Sequence, residues 1–263
     1  MKRFLILFFA AFALTQCSTE PEVVPVSPEE DMKTSATLYA DQFLTINVTT
    51  RISDFGEPPL PVYFFLSGTP GEVKVNWGDG STSREVIGPD RTRIEHDYDE
   101  EKSYTIQISG DIKAITSFGT TSYSYYDVNS VHFGGLVNLQ SIEMNFLQSP
   151  DVINLSRNRE LRYISLMGMY GTKDLLLPST NKINYLRITG ATGLPTAVID
   201  RVIARVYDSV LKSPRTGLIN VSADGFWEDE PSVVFLGPPS SWSINKLRTL
   251  QNKYQWTVTP KIQ

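Results

Sequence analysis

The segment ELRYISLMG, Glu160–Gly168, has two relatives in the same chain that align with it without gaps. NLQSIEMNF begins at Asn138 and KINYLRITG begins at Lys182, so the two lie at equal distances on either side of it. Each segment carries apolar residues at its second, fifth and seventh positions: Leu139, Ile142, Met144; Leu161, Ile164, Leu166; Ile183, Leu186, Ile188. Repetition at a fixed spacing of this length is typical of stacked units that cover one another's apolar side chains. We therefore predict parallel strands with these residues facing a shared core.

The apolar spacing L-x-x-L-x-L of these units is the strand pattern of leucine-rich repeats. The segment VINLSRNRELRYISL, Val152–Leu166, resembles the leucine-rich repeats of Bacteroidetes surface proteins. The resemblance implies that a second apolar run in each unit, Val152–Leu155 or Leu175–Leu177, lines the opposite wall of a short solenoid. At the position where the family often stacks asparagines, an apolar column is expected instead: Leu147, Met169, Ala191.

The alternate residues of the repeated strands are predicted to point away from the core. They form three rows: Ser141, Tyr163, Tyr185; Glu143, Ser165, Arg187; Asn145, Met167, Thr189. Tyr163 and Tyr185 should lie side by side, with Glu143 and Arg187 nearby, and amphipathic aromatic residues dominate recognition surfaces. We predict a ligand-binding patch at these four residues. The alternative is that the tyrosine pair only stabilises the sheet.

The C-terminal part of the chain is predicted to contain helices and strands that close the stack. Pro195 suits a first helical turn, and apolar residues then recur at three- and four-residue steps from Val198 to Val210. Ser240 is expected to cap a second helix, and Trp256 lies on a final strand. The physical role of this segment is to cover the open end of the repeats.

Residues 38–110 show a different pattern, in which apolar and polar residues alternate in short runs. Four sets are predicted to share strand faces: Leu44, Ile46, Val48; Val73, Val75, Trp77; Ile94, His96, Tyr98; Tyr104, Ile106, Ile108. Alternation with period two predicts half-buried antiparallel strands arranged as a sandwich. Gly78-Asp79-Gly80 is predicted to form a tight turn, because glycine tolerates positive φ and aspartate binds the backbone ahead of it.

The aromatic residues around that turn resemble those of PKD domains, which are immunoglobulin-like sandwiches. Trp77 stands before Gly-Asp-Gly, and His96, Tyr98 and Tyr104 fit the later aromatic positions. Val75 departs from the family where a tryptophan is usual, and so does Ser103 where a glycine is usual. This unit shows no set of exposed residues comparable to the tyrosine patch, which predicts a spacer role for it.

The turn has two interpretations, a metal site and a purely structural turn. Asp79, Asp97 and Asp99 supply oxygen atoms of the kind that calcium prefers, but their spacing does not match a calcium loop. The structural turn is favoured, and we predict no metal and no cofactor. His96 is expected to pack in its strand.

The N-terminus has the pattern of an export signal. Lys2 and Arg3 precede an apolar run, Phe4–Ala13, that is too short to span a bilayer. LTQC follows and ends at Cys17, the only cysteine in the chain. This stretch resembles the lipobox of bacterial lipoproteins, which implies that Cys17 carries lipid; the alternative is an ordinary secretory signal. Residues 18–37, rich in proline and acidic residues at their start, are predicted to act as a tether.

Two further aromatic segments are weaker candidates for a site. Tyr123 and Tyr125 are expected to bury a seam between the two units, with sugar stacking as the alternative. The loop Phe226–Glu230 contains Glu228, Asp229 and Glu230. Neighbouring carboxylates in one loop rarely face each other across a substrate, so a solvated turn is favoured over glycoside hydrolysis.

Together these features predict a mainly β protein with some α structure. Its parts would be a signal peptide with lipobox (1–17), a tether (18–37), a PKD-like β-sandwich (38–110) and a leucine-rich-repeat-like α/β solenoid (111–263). A net charge of −5 argues against a nucleic-acid partner. We predict a surface-exposed outer-membrane lipoprotein that is not an enzyme and binds or adheres to a protein or glycan ligand. A structural spacer and, less favoured, a glycan-degrading enzyme are the alternatives.

Overall fold

The computed structural model describes residues 42–52, 59–122, 126–146, 150–190, 194–223, 237 and 239–262. All of them belong to one compact unit, residues 37–263. The predicted signal peptide with Cys17 and the tether lie outside the described residues. So do several residues named above: Tyr123, Tyr125, Leu147, Ala191, Phe226–Glu230.

The described secondary structure is mainly β, with two α-helices and a 3-10 turn at Ile112–Ala114. The strands are β1 Leu44–Thr50, β2 Val62–Gly68, β3 Gly71–Asn76, β4 Thr82–Ile87, β5 Thr92–His96, β6 Ser103–Gly110, β7 Ile115–Ser122, β8 Tyr126–His132, β9 Ser141–Phe146, β10 Val152–Asn154, β11 Tyr163–Met167, β12 Asp174–Leu176, β13 Tyr185–Thr189, β14 Leu218–Asn220 and β15 Thr257–Thr259. The helices are α1 Thr196–Lys212 and α2 Ser241–Tyr254.

The strands form two mixed sheets. The seven-stranded sheet has the order β12-β10-β8-β1-β6-β3-β4, and the eight-stranded sheet has the order β15-β14-β13-β11-β9-β7-β2-β5. In the eight-stranded sheet the strands from β15 to β7 are parallel, whereas β2 pairs antiparallel with β7 and β5. Both sheets continue across the predicted boundary at residue 110. In the seven-stranded sheet β1 lies between β6 and β8, and in the eight-stranded sheet β2 lies between β5 and β7.

Where residues 38–110 are described, the predicted period-two alternation is confirmed as an alternation of buried and more exposed side chains. Every member of the four predicted sets is buried except His96, which is partly exposed. Trp77 is 1% exposed and packs against Phe64, with the ring centroids 5.9 Å apart. Buried residues of both sheets form one continuous core cluster. Removal of this apolar surface from water is the main stabilising contribution to such a core.

The three equally spaced segments form neighbouring parallel strands, and equivalent positions of the repeats lie opposite one another, as predicted. Ile164 of β11 lies opposite Ile142 of β9 and Leu186 of β13, and Leu166 lies opposite Met144 and Ile188. All of these side chains are at most 1% exposed. A shift of one residue would move each of them to the other face of the sheet, so burial fixes the register.

Buried asparagines occur in the repeats, at positions that the sequence pattern did not reveal. Nδ2 of Asn158 donates to the carbonyl oxygens of Phe133 and Leu136, at 3.0 and 2.8 Å. Nδ2 of Asn181 donates to the carbonyl of Pro178, and its Oδ1 accepts from the amide of Ile183. Of the predicted apolar column, Met169 is buried and the other two positions lie outside the described residues.

The two predicted helices are present and pack against each other. The apolar face of α1 is buried over Val198–Val210. Pro195 is the N-cap of α1 rather than a residue of its first turn, and the predicted cap Ser240 accepts from the amide of Ser243 at 3.4 Å. Within the described residues, no helix has the length and apolar character needed to cross a membrane.

Candidate ligand-binding face

The eight-stranded sheet has an outer face, made by the residues that alternate with its buried positions. One row of this outer face crosses all eight strands in register: Arg93, Phe65, Gly119, Glu143, Ser165, Arg187, Asn220, Thr259. Two of the four predicted site residues, Glu143 and Arg187, lie in this row, on either side of Ser165. Side chains on neighbouring strands are close enough to contact one another.

The tyrosine pair lies in the adjacent row, where β11 and β13 begin. Tyr163 is directly opposite Tyr185, and their rings stack with centroids 4.3 Å apart and planes 11° apart. The predicted contact is therefore confirmed, although both side chains are only partly exposed. Burial raises the pKa of the Tyr163 hydroxyl, Tyr185 and Glu143 add to the effect, and a hydrogen bond with Ser165 opposes it.

Not all of the predicted outward positions are accessible. Ser165 is 3% exposed, Asn145 7% and Thr189 1%. These three positions are therefore covered on this face, whereas Met167 and the two tyrosines are partly exposed. Period two alone does not distinguish an outward residue in contact with solvent from an outward residue under other protein atoms.

Glu143 has a partner that the sequence pattern did not reveal. Nη1 of Arg91 donates to Oε2 of Glu143 at 3.2 Å, and the same guanidinium lies 4.1 Å over the ring centroid of Phe65. Gly119 makes room for this arrangement, because a Cβ there would lie 2.9 Å from Nη2 of Arg91. Arg91 thus connects β2 to β9 across the intervening strand β7.

The expectation that residues 38–110 carry no comparable set is wrong. Arg93 lies 4.4 Å over the ring of Tyr63, and Tyr63 meets Phe65 edge to face at 5.7 Å. Arg93 also pairs with Glu95 at 2.7 Å. A signal for this cluster was present, since Tyr63 and Phe65 alternate with buried residues of β2. The unbroken apolar run around them hid the alternation.

The predicted turn after β3 is confirmed. Gly78 and Gly80 have φ values of 85° and 99°, and Asp79 Oδ1 accepts from the amide of Ser81 at 2.8 Å. Asn76 Oδ1 accepts from the amide of Gly78 at 3.0 Å. These bonds replace the ladder partners that the chain loses where it reverses direction.

The turn also binds a histidine from β5, which the sequence did not reveal. Nε2 of His96 lies 2.6 Å from Oδ2 of Asp79, and the His96 ring stacks on Trp77 with centroids 4.8 Å apart. Burial alone would raise the pKa of Asp79, but hydrogen bonds with Ser81 and His96 outweigh it and lower the pKa to about 2. Among the described residues, no group of three or more potential metal-ligating His, Cys, Asp or Glu side chains is found.

Asp79 should make the stability of the protein depend on pH in the acid range. Its pKa is lower in the folded chain than its ordinary value of 3.8. The stabilisation is therefore complete above about pH 4 and is lost as the pH falls towards 2. We expect the melting temperature of Asp79→Asn to fall less than that of the parent between pH 5 and pH 2, as followed by circular dichroism. Asp97→Asn, in the exposed loop after β5, is the control; equal slopes for parent and Asp79→Asn would contradict the assignment.

The outer face thus brings together all four residues predicted as a ligand-binding patch, and adds an aromatic and cationic cluster from β2 and β5. On rigid strands, the face carries stacked phenol rings, guanidinium groups and carboxylates that pair with arginines. Such groups suit the recognition of a ligand. Searches against protein-family models, curated proteins and solved structures find no match for this chain.

Proposed function

We propose that this chain is a non-enzymatic binding or adhesion protein that holds a protein or glycan ligand on the outer face of its eight-stranded sheet. The observation that carries the proposal is the stacked pair Tyr163 and Tyr185, which is partly exposed and lies beside the Glu143–Arg187 row. Rings held in place by neighbouring strands lose little conformational freedom when they bind.

The carboxylates of this face support binding rather than hydrolysis. A glycosidase places two carboxyl groups on opposite sides of a sugar, with at least one available as a general acid. Here Glu143 is paired with Arg91, and Glu95 is paired with Arg93. Both carboxylates are thus engaged in ion pairs with arginines of the same face.

We further propose that residues 38–110 form a PKD-like, immunoglobulin-like sandwich and that residues 111–263 form a short leucine-rich-repeat-like solenoid. The hydrogen-bonded turn at Asp79 and the aromatic cluster around Trp77 support the first part. The parallel strands built from the equally spaced repeats support the second. In this proposal the two parts share continuous sheets and one ligand-binding face.

The direct test is an array of glycans and extracellular-matrix proteins, probed with the full chain purified in a nonionic detergent. We expect saturable binding to one ligand class. Absence of binding to every arrayed molecule would favour a structural spacer. Release of reducing sugar from any arrayed polysaccharide would replace the binding proposal with a hydrolytic one.

For a ligand found in this way, Tyr163→Ala combined with Tyr185→Ala should weaken binding at least tenfold, or about 1.4 kcal/mol. The reason is that aromatic side chains at the centre of an interface carry most of its binding energy. The measurement is a titration of both proteins with the same ligand. Tyr170→Ala removes an exposed tyrosine that belongs to no strand and serves as the control. Unchanged affinity in the double variant, with an unchanged melting temperature, would remove the site from this pair.

We also propose that lipid on Cys17 anchors the protein to the outer membrane with its ligand-binding face outside the cell. The lipobox-like LTQC supports this proposal. Cys17→Ala should move the protein from the membrane fraction to the soluble fraction, as followed by immunoblotting, because lipid chains supply the anchoring energy. Retention of the variant in the membrane fraction would refute lipid anchoring at this residue, and protease accessibility on intact cells tests surface exposure.

A further inference from the structure

A cavity of about 510 Å³ lies between the beginnings of β11 and β13 and the end of α1. Four basic residues line it: Arg162, Lys182, Lys212, Arg215. Arg162 directly precedes β11, Lys182 lies in the segment before β13, and Lys212 is the last residue of α1. None of the four residues predicted as the tyrosine patch lines this cavity, so it is a separate feature of the fold.

Arg215 is held in the wall by neutral groups of the described residues. Its guanidinium donates to the carbonyl oxygens of Ile183, Ser209 and Ser213, to Oδ1 of Asn181 and to Oγ of Ser209, at 2.8 to 3.3 Å. These bonds occupy the N–H groups of the guanidinium, and none of the acceptors is a carboxylate. Burial lowers the pKa of Arg215, which reflects the cost of desolvating this charge. The carbonyl groups at the end of α1, which form the negative end of the helix dipole, offset only part of this desolvation cost.

The other basic residues add positive charge to the cavity. Among the described residues, Arg162 and Lys212 have no hydrogen-bond or ion-pair partner for their side chains, and both are exposed. Lys182 pairs with Glu160. None of the described residues that line the cavity is a carboxylate, although the chain as a whole carries a net charge of −5. The concentration of positive charge is therefore local and does not follow from the composition.

The remaining lining residues supply neutral hydrogen-bonding groups. Thr180, Asn184 and Ser213 line the cavity and have exposed side chains with hydroxyl or amide groups. Such groups match the hydroxyls of a sugar, whereas a guanidinium and an ammonium match an oxyanion. The volume exceeds that of an inorganic anion and lies within the range of small-molecule sites, roughly 300–1,000 Å³.

We propose that this cavity binds a sugar that carries a sulfate or phosphate group. Arg162 and Lys212 hold the oxyanion from two sides, Arg215 contributes its charge from the wall, and the hydroxyl and amide groups receive the sugar ring. The site is independent of the tyrosine pair on the outer face, so it supplies a second binding function rather than a part of the first.

The test is calorimetric titration of the full chain, in nonionic detergent at low salt, with glucose 6-sulfate, glucose 6-phosphate, glucose, inorganic sulfate and inorganic phosphate. We expect saturable binding of at least one charged sugar, weaker binding of the matching inorganic anion and no binding of glucose. The sulfate and phosphate arms identify which oxyanion the site prefers. Added NaCl should weaken the binding, because it screens the charges.

Arg162→Ala combined with Lys212→Ala should weaken binding of the preferred sugar at least tenfold, since each cation contributes a charge-assisted hydrogen bond. Arg159→Ala combined with Lys261→Ala removes the same charge from exposed residues outside the cavity and should leave the affinity unchanged. Tyr163→Ala with Tyr185→Ala should also leave it unchanged, which separates this site from the proposed ligand face. If the cavity double variant melts below the parent, Lys212→Glu alone, at an exposed helix end, replaces it with the same expectation.

Three results would overturn the proposal. The first is a lack of saturable binding of either charged sugar up to about 10 mM, the weak end of specific affinities. The second is equal binding of glucose and the charged sugars. The third is the same loss of affinity in the cavity variant and in the control with matched charge.

Discussion

Leu166→Asp should lower the free energy of unfolding by about 4 kcal/mol or more, the largest effect expected of any single substitution discussed for this protein. Leu166 is 1% exposed at the centre of β11 and lies between Met144 of β9 and Ile188 of β13. A carboxylate at this position would be buried among apolar side chains without a partner. The loss combines the missing apolar contacts with the desolvation of a charge, and urea denaturation measures it.

The neighbouring residue provides a matched control. Met167 lies on the same strand but points to the outer face and is partly exposed. Met167→Asp should change the free energy of unfolding by no more than about 1 kcal/mol, because the new charge remains hydrated. A melting temperature of Leu166→Asp within a few degrees of the parent would refute the inward direction of Leu166 and, with it, the register of the parallel strands.

Asn158→Ala should lower the free energy of unfolding by about 2–3 kcal/mol. Asn158 is fully buried, and its Nδ2 group is the side-chain donor that binds the carbonyls of Phe133 and Leu136. Alanine would leave these two acceptors without this partner and would open a small void. Among the described residues Oδ1 of Asn158 has no hydrogen-bond partner, so the loss arises from the two donated bonds.

Asn138→Ala is the control for this second substitution. Nδ2 of Asn138 also donates to a backbone carbonyl, that of Lys113 at 2.8 Å, but the side chain is exposed. Water can replace the lost bond there, so the cost should stay below about 1 kcal/mol. Equal effects of the two substitutions in urea denaturation would mean that Asn158 contributes no more than a surface hydrogen bond.

The arrangement of the parallel strands was predictable because its determinants are local and repeated. Each strand carries its own apolar residues at the same three positions, and burial of all of them at once allows a single register. The contact between Tyr163 and Tyr185 followed from that register without further information. The amphipathic helix α1 and the Asp79 turn were likewise predictable, since helical periodicity and the backbone freedom of glycine are properties of short segments.

The contacts that complete the candidate site join residues far apart in the chain, and the sequence carries no pattern for them. Arg91 reaches Glu143 across Gly119, over a separation of 52 residues, and His96 reaches Asp79 over 17. Likewise, β1 lies between β6 and β8, and β2 lies between β5 and β7. These pairings depend on which strand edges meet once the chain has collapsed.

The inward-facing residues of each strand, the register of the repeats and the contact between the stacked tyrosines were therefore predictable from the sequence, because they follow from periodicity within short segments. The folded chain, and not the sequence pattern, brings Tyr63, Phe65, Arg91 and Arg93 onto the same face as the tyrosine pair, since β2 joins β7 by backbone hydrogen bonds that are available to any sequence. It also decided which outward positions are covered. Burial of a side chain depends on the packing of all neighbouring elements and not on the periodicity of its own strand.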